Sequence, residues 1–319
     1  VSDGSVSLDL DKDPGGPPAG EVPPEAITAV PVRHWGRWIS AVLVLTVLGL
    51  IVWAFANAKI NWGVVGDYLT YDRIMEGALN TLWITVCAMV LGLVLGMLLA
   101  VMRLSDNPVL SSVAYAYIWF FRGTPVLVQL MLWYNLSYIF DTLNLGFYKN
   151  EMNDVMTPFL AALLGLGLNE AAYMAEIARA GIKSVDGGQT EAAQALGMNG
   201  AKTMRRIVLP QAMRVIIPPS GNEFINMLKT SSLASVIYFE ELFRAGNTIS
   251  SRNLAVMEMM MVVSVWYLLL TTVFSIGQYY LERYYAKGTD REQPPTPLRR
   301  IGQQLTSFRT KSKVGGETV

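Results

Sequence analysis

The stretch "ALNTLWITVCAMVLGLVLGMLLAVM", residues 78–102, runs for 25 residues without an Asp, Glu, Lys or Arg. About 20 apolar residues suffice for a helix to cross the hydrocarbon core of a bilayer. A backbone in lipid must satisfy its own hydrogen bonds, which an α-helix does within one segment. The stretch therefore predicts a membrane-spanning helix. Gly92 and Gly96 stand four residues apart on one face, a small-xxx-small pair that lets a second helix approach closely. They read equally well as glycines merely tolerated in a span.

The rest of the chain agrees with this beginning. Of its 319 residues 52% are hydrophobic and 16% charged, against roughly a quarter charged in soluble proteins. Further apolar runs occupy Ile39–Ala56, Ile118–Phe140, Pro158–Ala178, Val215–Ile237 and Met259–Leu281. The expected fold is all-α and integral to the membrane, with about six transmembrane helices. The run at 118–140 is interrupted by "FRGTP" (121–125), whose Arg122 and Pro125 predict a bend at an interface or against a cavity. Arg122 reads either as a cytoplasmic anchor or as a gate residue near the cytoplasmic mouth. "AFA" at 54–56 raises the question of a cleaved leader, but the run before it is long for one, so an uncleaved anchor is expected.

Outside the runs, composition marks the boundaries. Residues 1–32 are rich in Pro, Gly, Asp and Glu and predict a disordered cytoplasmic tail. Residues 33–73 carry an extra N-terminal helix and an external loop, 74–285 form the core, and 286–319 a basic cytoplasmic tail. Lys and Arg favour the cytoplasmic side of a membrane. Placing both termini and 179–214 inside puts 18 of them there and 5 outside. The zero net charge gives no sign of a nucleic-acid partner. Cys87 is the only cysteine and lies in an apolar run; His34, the only histidine, has no metal-ligand partners at suitable spacing, so no metal site is expected. The methionine run at 257–261 reads as lipid-facing or core packing. Glu240 and Glu241 are expected to face external solvent.

One polar segment does not fit a span. "EAAQALGMNGAKTMRRIVLP" (191–210) predicts a helix over 189–196 with Glu191 in its first turn, where a carboxylate suits the helix dipole. Gly197 ends or bends it, Asn199 caps a second helix over 200–209, and Pro210 stops that one. Two short helices with a small tip suit docking in a groove; a helix lying on lipid headgroups is the alternative. "GAKT" (200–203) lacks the glycine spacing and preceding strand of a phosphate-binding loop, so no ATPase is expected in this chain.

Here the residues resemble a family. Glu191-Ala192-Ala193, three residues, Gly197, nine residues, then Ile207-x-Leu209-Pro210 is similar to the EAA signature of ABC importer permeases. "FRGTPVLVQL" (121–130), "AEIARAGIKSV" (175–185), "LPQAMRVIIPPSGNEFINMLKTSSLASVI" (209–237) and "ALNTLWITV" (78–86) look like the polar-amino-acid branch, of the histidine, glutamine, glutamate and arginine type. The resemblance covers about 74–285 and implies a five-helix type I importer core. It implies that Glu191, Ala192, Ala195, Leu196, Gly197, Met198 and Asn199 couple to a separate ATPase subunit, which would hold ATP and Mg. It also implies a second permease copy or similar subunit, an extracytoplasmic substrate-binding protein and the bacterial cytoplasmic membrane as location.

Polar residues within a span are costly, at about 2.5–3.5 kcal/mol for Lys or Asp at mid-helix. At 100° per residue, Asn222, Glu223, Asn226, Lys229 and Thr230 fall within an arc of about 120°. Asn169, Glu170, Tyr173 and Glu176 occupy a similar arc in the preceding span, so two polar faces are expected to share one cavity. An amino acid offers an ammonium and a carboxylate, which Lys229, Glu223 or Glu170, and Asn226, Thr230 and Ser231 match by type. Lys229 could instead be a structural pair with Glu170 or Glu223, or snorkel to the interface. By resemblance this region lies along the translocation path. Thr230 stands where many relatives carry Asp, and the missing carboxylate weakens the case for a cationic substrate; Glu170 either replaces that charge or marks a different specificity.

Other classes fit the sequence less well than transport by an ABC permease. A secondary transporter would show internal repeats and more spans, an intramembrane enzyme a nucleophile and base at depth, and a scaffold no functional cavity.

Overall fold

The computed structural model describes residues 35–285 apart from Leu145, Phe147 and Tyr148. The expectations for the two tails and for His34 lie outside the described residues. The chain divides after Asn57 into two units. In the first, α1 (Trp35–Ala56) has a mean hydropathy of 2.6 over its spanning window. A helix apolar on every side suits a lipid environment.

The second unit begins with α2 (Trp62–Leu69), α3 (Asp72–Arg103), α4 (Pro108–Gly123) and α5 (Val126–Tyr134). A short hairpin of β1 (Thr142–Asn144) and β2 (Lys149–Glu151), paired antiparallel, leads into α6 (Met152–Val155) and α7 (Pro158–Lys183). Then come α8 (Gly187–Ala195), α9 (Gly200–Thr203), α10 (Leu209–Thr230), α11 (Leu242–Asn253) and α12 (Val256–Tyr285). Helices α1, α3, α7 and α12 are long and apolar enough to cross a membrane.

The other two expected spans differ from single apolar helices. The run at 118–140 is broken between Gly123 and Val126, where Thr124 and Pro125 are extended. Buried Gln129 repairs the break: its amide donates to the carbonyls of Phe121 (3.0 Å) and Thr124 (3.1 Å) and to the Thr124 hydroxyl (2.7 Å). Asn169 of α7 donates to the same Phe121 carbonyl at 2.7 Å. Irregular backbone at depth needs such partners. Helix α10 holds Pro218 and Pro219 in its interior and gives way to a 3-10 turn over Ser231–Ile237. Gln278 of α12 donates to the Pro218 carbonyl at 2.7 Å.

At the centre α3 lies against α7. A methyl group at Gly96 would sit 2.5 Å from Met174 Cβ and 2.9 Å from the Ala171 carbonyl oxygen; at Gly92 it would sit 2.7 Å from Glu170 Cγ. The two glycines are thus contact positions. On the other side α7 presents Ala161, Ala162, Ala171, Ala172, Ala175 and Ala178, all buried. Small residues on both helices permit close approach.

At the end where α3 begins, α11 packs on α3 and α12. The expectation that Glu241 faces solvent is overturned, because the residue is fully buried. Its carboxylate caps α11, accepting from the N–H groups of Phe243 (2.8 Å) and Arg244 (2.7 Å), and accepts from the Tyr267 hydroxyl (2.7 Å). Burial pushes its pKa up to about 7, against the opposing effect of these donors. Glu240 stays half-exposed and pairs with Arg73 at 3.3 Å.

Candidate translocation site and coupling segment

Helices α7 and α10, with the start of α5, enclose a cavity of about 530 Å³. The size is ordinary for a small-molecule site. It brings together six residues singled out from the sequence: Glu170 and Tyr173 of α7, and Glu223, Asn226, Lys229 and Thr230 of α10. The wall is completed by Asn169 and by apolar Val126, Leu166 and Met227. Asn222 and Ser231 do not line it. Asn222 is exposed elsewhere on α10, and Ser231 is buried, donating to the Leu228 carbonyl at 2.8 Å. Glu176, one turn beyond Tyr173, pairs with Arg179 at 2.6 Å.

Depth follows from the contact with α3. Gly92, against which Glu170 rests, lies about 30 Å along α3 from Asp72 and roughly 17 Å from Arg103, at 1.5 Å per residue. Glu170 is nearly fully buried, and its Oε1 has no hydrogen-bond partner. Such an atom is costly unless something else binds it. Among the described residues Lys229 forms no ion pair with Glu170 or Glu223. The three ionisable groups of the wall, two carboxylates and one ammonium, carry one excess negative charge when all are ionised.

The coupling segment is built locally. Asp186 caps α8 by accepting from the Gly188 N–H at 2.7 Å. This starts the helix earlier than expected, so Glu191 lies in its middle and not in its first turn. Gly197 takes φ +75°, with its N–H on the Gln194 carbonyl and that of Met198 on the Ala193 carbonyl. That pair of bonds is a Schellman stop. Asn199 caps α9 through the Lys202 N–H at 2.9 Å.

Pro210 does not end the second helix. A π-helical turn over Met204–Val208 joins α9 to α10, with the Leu209 N–H reaching back to the Met204 carbonyl. The wider turn makes room for a proline ring that would clash with the carbonyl four residues before it in an α-helix. Glu191, Ala192, Ala195, Leu196, Gly197 and Asn199 are all exposed, Leu196 to 83%; Met198 is half-buried and Ala193 is the buried anchor.

Residues 92–287, more than half of the chain, match the family model described as "Binding-protein-dependent transport system inner membrane component". The chain belongs to this family of membrane permeases. The permease is 47% identical to the arginine transport system permease protein of Corynebacterium glutamicum, over 86% of this chain and 88% of that one. It is 38% identical to the glutamine transport system permease protein of Escherichia coli, over 70% and 97%. A crystal structure of an amino acid ABC transporter with histidines superposes with a TM-score of 0.63 at 36% identity, covering 71% of the permease and all of that chain. The permease is therefore a transport subunit of the amino-acid branch of ABC permeases and not itself an enzyme.

Sequence reading missed Val126, Leu166 and Met227 as wall residues of the permease, since an apolar residue in a span carries no mark of facing a cavity. The helical arc puts Asn169 on the polar face of α7, and the structure adds it to the cavity wall. Its amide joins the cavity wall to the break at Phe121, and its bond to Gln129 Oε1 is 3.3 Å.

Proposed function

We propose that the permease carries polar amino acids with a cationic side chain, of the arginine type, through the cavity between α7 and α10. The carrying observation is the buried, unpartnered Glu170 oxygen in a wall that holds two carboxyl groups against one amine. A cationic amino acid bears one excess positive charge. Lys229 would hold its α-carboxylate, and Glu170 and Glu223 its ammonium and side-chain cation. Asn226 and Thr230 supply neutral hydrogen bonds, and Tyr173 a ring face. A relative named for arginine supports the same substrate class.

In this reading there are six membrane segments, with both termini cytoplasmic in the bacterial plasma membrane. Two permeases, identical or similar, form the pathway, and a substrate-binding protein delivers from outside. A separate ATPase subunit, which carries ATP and Mg, docks at the tip formed by Ala195–Asn199. The exposed Leu196 supports that docking, because a large apolar side chain stands there uncovered at a small tip.

The test is uptake of radiolabelled arginine into vesicles holding the purified complex. Glu170→Gln keeps the shape and removes the charge. A hydrogen bond to a charged group contributes about 1.5–3 kcal/mol, so KM should rise roughly 10- to 100-fold in an assembled complex. Arginine uptake with an unaltered KM would overturn the assignment.

A further inference from the structure

Arg122 lies, exposed, at the broken run between α4 and α5. Its guanidinium carbon stands 5.2 Å from the centre of the Tyr173 ring, within reach of a cation–π contact. Tyr173 is itself a wall of the cavity. One face of α7 therefore reads, from the cavity towards the coupling segment, Glu170, then Tyr173 with Arg122, then Glu176 with Arg179. Each step is about one helical turn.

The Arg122 side chain is exposed and held by the Tyr173 ring, while its backbone is held by neighbours. The backbone that carries it is clamped by Gln129 on three acceptors and by Asn169 on the Phe121 carbonyl. Asn169 also belongs to the cavity wall, so the clamp and the cavity share a residue. Two other arginines nearby differ in this respect. Arg103 stacks on Tyr115 and donates to Ser111, away from the cavity, and Arg179 is taken up by Glu176.

We infer that Arg122, stacked on Tyr173, is a charge barrier on the coupling-segment side of the cavity, holding a cationic substrate there until α4 and α7 separate. This rests on the cavity being the route of a cationic amino acid. Arg122 is not part of the cavity wall but stands behind its Tyr173 ring on the way out, where a positive charge repels a cation and leaves a neutral molecule unaffected, so the barrier acts by sign. Moving α7 relative to the α4–α5 break would withdraw Tyr173 from Arg122 and open the way.

The experiment uses vesicles with the whole complex, loaded with radiolabelled arginine or glutamine, and follows efflux without ATP. Arg122→Gln should raise arginine efflux tenfold or more and leave glutamine efflux as in the wild type; Arg122→Lys should stay tight. Arg103→Gln, which removes a charge off the cavity, should also stay tight. Tyr173→Leu takes away the ring beneath Arg122 and should leak like Arg122→Gln, which keeps the test open if that variant fails to assemble. Tight arginine retention in either assembled variant overturns the barrier, as does an equal rise in glutamine efflux. Glu170→Gln in the same vesicles separates the two ideas. If it leaves driven arginine uptake unchanged, the route itself is wrong; if it weakens uptake while Arg122→Gln stays tight, only the barrier is.

Discussion

Replacing Gly96 or Gly92 by alanine tests the α3–α7 seam, and the two positions should respond differently. At Gly96 the added carbon meets Met174 Cβ at 2.5 Å, the Ala171 carbonyl oxygen at 2.9 Å and the Ala175 nitrogen at 3.0 Å. Two of these are backbone atoms, and carbon contacts relax only near 3.5–4.0 Å. One helix must therefore move by about 1 Å. Overpacking of this kind costs about 1–3 kcal/mol, while Gly→Ala in a helix returns roughly 0.5–1 kcal/mol. The net expected loss is about 1–2 kcal/mol, read as a lower thermal midpoint of the purified complex. At Gly92 the nearest atoms are Cγ and Cβ of Glu170, at 2.7 and 2.9 Å. A side chain can yield where a backbone cannot, so the fold should suffer less and the carboxylate should shift. Gly92→Ala is expected to raise the KM for uptake by more than it lowers the midpoint. A Gly96→Ala midpoint at or above the wild type would refute the argument, because propensity alone would then decide the outcome.

Two further outcomes follow from the rest of the chain. Gly197→Asp places charge and bulk at a tip that has open space around it but a φ of +75°, and should leave ATP hydrolysed with little arginine imported. Asparagine tolerates that conformation, so Gly197→Asn should couple better, and fully coupled uptake by the Asp variant would refute docking at the tip. Glu241 has its pKa raised by burial to about 7 from 4.5. The folded state therefore holds the proton more firmly than the unfolded one. Its contribution is complete below about pH 4.5 and is lost as pH rises through 7, by up to about 3 kcal/mol. The thermal midpoint should fall over that window, and less so in Glu241→Gln; a wild-type midpoint that rises there would refute the burial argument.

What the sequence made legible was local. An uninterrupted run marks α3, and a glycine followed two residues later by asparagine marks the turn between α8 and α9, because stop and cap are made by those residues themselves. Errors arose where distant partners decide. Glu241 reads as a solvent-facing acid beside Glu240, but Tyr267 arrives from α12 to receive it, and Thr81 of α3 accepts the N–H of the next residue, Leu242. Pro210 reads as a helix stop, and only the π-helical turn before it lets the helix continue. Counting from Gln189 puts Glu191 in the first turn, whereas Asp186 caps the helix and starts it earlier.

The apolar seam and the polar cavity are one construction in this permease. A span carrying glutamic acid at depth needs a neighbour small enough to admit the side chain, and Gly92 lies where a β-carbon would strike Glu170. Met174 is received by Gly96 one turn on, so α3 offers a slot to one edge of α7 while α10 faces another. The cost of a buried carboxylate at mid-membrane is then borne by the packing of helices that approach closely through small residues. Glu170 is held at its stem by α3 and left with a free oxygen at its tip. A glycine that is only tolerated in a span would have no such counterpart, and the uptake of Gly92→Ala would then follow its stability and nothing else.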